Sequence, residues 1–188
     1  KLTYHDHDTN TGVYSFCMCP GGFVLSSGTD PDGLVCNGMS NFNRNSPWAN
    51  SAVVVTIEAG KDTTKDLWGG LALRREIESK ALKAVHARGG TKQLPAQKLT
   101  DFLKNKSGET LKGSSPSGVI GINLRELLPT KVNQFLLKGL ENFETKMKGF
   151  IIDKAQFYGV ETRTSCPIRV TRSEDSLESI SHKNLYPT

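Results

Sequence analysis

No stretch of this chain is apolar for long enough to cross a bilayer, and no signal peptide opens it. No Gly-x-Gly-x-x-Gly occurs, so the phosphate loop of a dinucleotide-binding fold is missing. The Gly21-Gly22 and Gly69-Gly70 pairs do not substitute for one. No basic run is interleaved with aromatics, which speaks against a single-strand nucleic-acid binder. Cysteine is sparse, with Cys17, Cys19, Cys36 and Cys166 the only four. Cys17 and Cys19 stand two apart, a poor spacing for a disulfide, and no second pair completes a metal site. The His5-Asp-His-Asp8 run could add ligands to them, but the expectation is four reduced thiols and no metal. There is no initiator Met, and both ends, at Lys1 and at Asn184-Leu-Tyr-Pro-Thr188, read as cuts within a longer protein. The expected compartment is a bacterial cytoplasm or a plastid stroma, not a secretory route.

What is present suits one loop-rich domain. The 188 residues can bury a proper core, hydrophobic content is modest at 36%, and glycine is abundant at 18 residues. The net charge of +5 reads first as a solvated basic surface, with an anionic ligand as the alternative.

Three parts follow in order. Residues 1–60 read as β, with short apolar runs at 13–18 and 23–26 and a hairpin near the Asp30-Pro-Asp-Gly33 turn. Ser51-Ala-Val-Val-Val-Thr-Ile57, rich in β-branched residues, is the strongest strand. Residues 61–150 read as helical. Leu67, Leu71, Ile77, Leu82 and Val85 keep a roughly helical spacing up to a stop at Gly89-Gly90. A short helix is expected over 94–103, and residues 105–121 read as a loop. Asn123 is placed to cap a short helix over 124–128. Pro129 then opens a longer one with Val132, Phe135, Leu136, Leu140, Phe143 and Met147 along one stripe. Residues 151–188 return to β, with strands expected over 155–164 and 168–171 and a last element over 179–185. The fold class is therefore α+β. One mostly antiparallel sheet is expected to join the two β regions, with the helices as a separate layer.

Two segments stand out. Tyr14-Ser-Phe-Cys-Met-Cys-Pro-Gly-Gly-Phe-Val24 breaks between two apolar runs at Cys19-Pro20-Gly21-Gly22. Glycines there permit positive φ and close approach of a backbone or a flat ring; an ordinary strand-to-strand turn is the alternative. In Glu161-Thr-Arg-Thr-Ser165, strand alternation would put Glu161, Arg163 and Ser165 on one face and Thr162 and Thr164 on the other. Arg163 is a plausible donor to an anionic group, or else the partner of a carboxylate or of a second domain. Cys17 and Cys19 could form a redox pair, although Met18 between them suggests packing.

These segments, with Asn37-Gly-Met-Ser40, Ala49-Asn-Ser-Ala52, Pro95-Ala-Gln97, Leu124-Arg-Glu-Leu-Leu-Pro129 and Lys148-Gly-Phe150, run in the order and approximate spacing of an uncharacterised NAD(FAD)-utilising dehydrogenase family. The chain resembles the interior of such a protein along essentially its whole length. The resemblance implies FAD held by a Rossmann-type domain of the parent, whose two glycine-rich segments lie outside this sequence. It implies that this part covers the flavin and shapes a substrate pocket. Cys19, Pro20, Gly21, Gly22, Arg163, Thr164 and Ser165 would be the residues nearest the cofactor. The partners implied are the FAD-binding domain and an unnamed small-molecule substrate, with neither nucleic acid nor membrane. Alone, the chain is not expected to hold FAD. The competing reading is a non-catalytic structural or interaction module of a flavoprotein.

Overall fold

A computed structural model describes residues 1–28, 30–107, 112–163 and 169–187. The first β region forms five strands, β1 Thr3–Asp6, β2 Thr11–Cys19, β3 Gly22–Ser27, β4 Val35–Ser40 and β5 Asn50–Val55. They build two small antiparallel sheets, β1-β2-β5 and β3-β4. The β-branched run of β5 pairs with β2, Val53 opposite Ser15 and Val55 opposite Val13.

Two long helices, α1 Gly69–His86 and α3 Thr130–Lys146, carry most of the two expected stripes, but Leu67 lies before α1 and Met147 after α3, both exposed. The expected α3 stripe is buried at Phe135, Leu136, Leu140 and Phe143. Gly139 lets this helix close on β2, since a Cβ there would lie 2.6 Å from a Val13 methyl. Two ion pairs also hold this helix: Lys138 with Asp6 of β1 at 3.1 Å and Lys131 with Asp62 at 2.6 Å. Gly89, at φ +75°, ends α1 as expected, and the Gly90 amide donates to the Val85 carbonyl.

The class is α+β, as expected, but the sheets are divided differently. Residues 94–98 form strand β6 Leu94–Lys98, and only α2 Leu99–Leu103 of that stretch is helical. Leu94 precedes Pro95, which disfavours helical backbone for it. Strand β7 Val119–Gly121 lies parallel to β6, and β8 Gln156–Tyr158 antiparallel on its other side. The helical middle of the sequence thus carries the centre of a third sheet. Of the C-terminal β region, Gln156–Tyr158 is regular strand, and Arg172 and Ser179 form an isolated bridge. The N- and C-terminal β regions therefore share no sheet among the described residues. They meet where the Cys36 amide donates to the Val160 carbonyl at 2.9 Å.

Gln97 ties this sheet to the segment after it. Its amide donates to the Lys106 carbonyl at 2.6 Å, and its oxygen accepts from the Leu124 amide at 3.0 Å. Leu124–Glu126 is a 3-10 turn, and the Asn123 side chain caps it by accepting from the Arg125 amide. Pro95-Ala-Gln97 and the 124–129 segment are accounted for as structural joints.

Candidate functional site

Strand β2 does not run regularly into its end. Phe16 pairs with Ala52 and Cys19 with Asn50, so three steps on β2 oppose two on β5. The extra residue makes a β-bulge, and Cys17 takes φ +53° within it. The chain then leaves the first sheet, because β3 pairs with β4 and not with β2. Cys19-Pro20-Gly21-Gly22 is the corner between two sheets.

That corner is closed by the chain's own residues. Gly21 has φ +57°, and a Cβ on it would collide with the backbone of Arg44. A Cβ on Gly22 would lie 2.5 Å from the Met39 carbonyl oxygen and 2.7 Å from Asn50 Nδ2. Asn50 is wedged between Gly22 and Gly38 of the facing strand, its amide 3.4 Å from the Phe23 carbonyl it donates to. The Gly22 amide donates to the Trp48 carbonyl at 2.9 Å. Ser46 Oγ donates to the Gly22 carbonyl at 2.9 Å, and Ser40 Oγ to the Pro20 carbonyl at 3.1 Å. Three of the segments singled out in the sequence, at 19–22, 37–40 and 49–52, interlock here.

Around this rigid corner the apolar side chains point outward. Phe42 is 100% exposed and Met18 65%, and Phe16, Met39 and Trp48 are exposed as well. Of the nearby thiols, Cys17 is exposed, Cys19 half-buried and Cys36 buried. Burial, with the Glu161 charge added, pushes the Cys36 thiol up to about 12. It stays protonated and inert at neutral pH. Among the described residues no group of three or more His, Cys, Asp and Glu is gathered to hold a metal ion.

The second segment lies elsewhere. Arg163 is bidentate to Glu78, Nε to Oε1 at 3.1 Å and Nη2 to Oε2 at 2.8 Å. Thr162 Oγ1 donates to the same carboxylate at 2.5 Å, and Arg74 Nε stands 3.5 Å away. Strand alternation would have placed Thr162 and Arg163 on opposite faces. Residues 159–163 are not a regular strand past Tyr158, so both side chains turn to one group. Glu78 is 1% exposed, on the buried face of α1 with Ile77, Ala81 and Val85. Burial pushes its carboxyl up, but the Arg163 and Thr162 hydrogen bonds and the Arg163 and Arg74 charges outweigh it. The carboxyl is held below its ordinary range. Glu161 is half-buried, and burial raises its pKa. Thr164 and Ser165 lie outside the described residues.

Among the described residues the two segments lie at opposite ends of the β3–β4 hairpin. Gly22 pairs with Ser40 at one end of the β3–β4 hairpin, and Ser27 with Val35 at the other. The Arg163 guanidinium lies beside Gly28, 3.8 Å from where its Cβ would be. Five strand steps separate these ends, about 17 Å. Sequence reading missed Glu78, which pairs with Arg163 across 85 positions. Its one signal was a carboxylate falling on the apolar face of a helix.

Among the described residues, the groups these two segments could turn to a flavin are largely engaged within the chain. The Gly22 amide is already donated, the space beside Gly21 is filled by Arg44, and the Arg163 fork is spent on Glu78. No helix among the described residues is long and apolar enough to cross a membrane.

Comparison with known proteins bears on this arrangement. An uncharacterized protein of Clostridium beijerinckii (strain ATCC 51743 / NCIMB 8052) is 41% identical over 191 residues, covering 100% of this chain and 35% of the relative. The chain thus spans about a third of the length of the curated relative it matches. A family model described as FAD-dependent protein, C-terminal domain-like, matches residues 1–164, which take in the bulged strand, the interlocked corner and the Glu78–Arg163 pair. By that match, the chain belongs to the FAD-dependent protein, C-terminal domain-like family.

Proposed function

We propose that this chain is the substrate-side cover of a FAD-dependent oxidoreductase, and that it meets the FAD-binding remainder of its parent through the apolar end around the 19–22 corner. The single observation that carries this reading is the set of exposed apolar side chains, Phe16, Met18, Met39, Phe42 and Trp48, mounted on a corner held rigid from within. Soluble surfaces seldom expose such a group without a partner. Total surface supports the same reading. The chain exposes 11906 Å². A free-standing globular protein of its 20.6 kDa mass would expose about 8,900 Å². The excess of roughly 3,000 Å² leaves room for one partner's share of a permanent interface, about 1,000–2,500 Å².

In this proposal Cys19, Pro20, Gly21 and Gly22 serve the cofactor by fixing the shape of the contacting end. Arg163 serves by holding the 159–163 segment on α1. FAD, when bound by the remainder, would supply hydride or electron transfer; this chain's residues exclude water from it and bound the substrate space. Nicotinamide as the electron donor is part of the proposal.

The test uses the full-length protein and its Met18→Asp/Phe42→Asp variant. The wild type is expected to be yellow and to bleach with a nicotinamide donor. The variant should lose bound flavin or bleach at least about tenfold more slowly, about 1.4 kcal/mol. A variant with full flavin content and full bleaching rate would overturn the reading. A yellow wild type that no nicotinamide donor bleaches would favour the structural-module alternative.

A further inference from the structure

At the other end of the β3–β4 hairpin lies a cleft of about 730 Å³, within the usual range of small-molecule sites. Its walls are the end of β3, the last turn of α1 and the loops at 30–34, 91–92 and 116–117. Leu25, Leu34 and Leu82 give it an apolar floor, and Leu34 is buried. His86, Lys92 and Ser117 bring polar side chains to its rim. Among the described residues neither His86 nor Lys92 takes part in an ion pair.

The rim is held from within. The Thr91 and Lys92 amides both donate to Gln93 Oε1, at 2.7 and 3.2 Å. Recognition therefore falls to the side chains of that loop and of the last turn of α1. The cleft's carboxylate, Asp30, is already engaged: its Oδ1 accepts from the Asp32 amide at 3.1 Å, and its charge favours the protonated Arg163 guanidinium.

We infer that this cleft binds a small organic carboxylate with an apolar body, its charge against Lys92 and His86 and its body on the three leucines. A polyanion is disfavoured. The cleft sits at the C-terminal, negative end of the α1 dipole and holds Asp30, so it balances one negative charge better than several. The inference does not rest on the flavin reading, because the cleft is at the hairpin end remote from the 19–22 corner.

Calorimetry on the full-length protein at low salt tests it, with phenylacetate, its neutral isostere phenylacetamide, and inorganic phosphate as probes. Phenylacetate should bind one to one, and at least about tenfold tighter than either of the others. Lys92→Met should weaken phenylacetate about tenfold and leave phenylacetamide binding and the melting temperature unchanged. Equal affinity for acid and amide, tighter binding of phosphate, or phenylacetate binding that survives Lys92→Met would each overturn the inference. So would no heat with phenylacetate at roughly 10 mM.

Discussion

The two ends of the β3–β4 hairpin carry the two segments that set this sequence apart, and they are built on opposite principles. At the 19–22 end, polar backbone groups are satisfied inside the chain and apolar side chains face out. At the 161–163 end, a carboxylate is buried and two side chains of one segment close over it. A buried charge is costly without a partner, and an exposed aromatic group costs solvent order without one. In the proposed reading the first end awaits a partner, whereas among the described residues the second closes on the chain's own groups. A segment that stands out in a sequence can therefore mark a joint as readily as a contact with cofactor.

The largest expected effect is at the 161–163 end. Glu78→Ala leaves Arg163 and Arg74 facing a vacated, buried site, and should cost about 3–4 kcal/mol in denaturant unfolding. Arg163→Ala should cost less, about 2 kcal/mol, because the guanidinium is partly exposed and Thr162 and Arg74 remain. A loss under about 0.5 kcal/mol for Arg163→Ala would return that residue to a purely functional role.

The same pair predicts acid behaviour. The folded Glu78 carboxyl lies below its unfolded value, so its contribution is fully present above about pH 4.3. It is lost as pH falls through the folded value. Glu78→Gln should therefore show a flatter fall in stability than wild type below that pH. Parallel acid curves for the two proteins would show that Glu78 is not held as a charged partner.

The thiols test both ends, Cys17 beside the 19–22 corner and Cys36 beside Val160. In the isolated chain an alkylating reagent should modify Cys17 quickly, while Cys36 should wait for unfolding, since its thiol is buried and pushed up to about 12. Peptide mapping after timed labelling reads this directly. Cys36 labelling at the Cys17 rate would refute the packing described for β4.

Much of the fold was legible from local pattern. The β-branched run gave β5, the stripe from Val132 to Phe143 gave α3, and Asn123 was recognised as a cap. What was misread depended on distant partners. Pro95 is a local signal against helix at Leu94, but it is β7 and β8, from 119–121 and 156–158, that make residues 94–98 a central strand. Arg163 was visible as a candidate, but its partner 85 positions away was not. The corner glycines read as permitting close approach of a backbone or a flat ring, or as an ordinary turn; that the approaching groups are Arg44 and Asn50 is a tertiary fact no local pattern carries.

The central claim is that the apolar end is covered in the whole protein. Oxidative footprinting of the full-length protein tests it most directly, with the unfolded protein as the reference for each side chain. Met18 and Phe42 are 65% and 100% exposed in this chain. If the FAD-binding remainder covers them, both should react at least about tenfold more slowly than in the unfolded protein. Reaction near the unfolded rate at both positions would contradict the account.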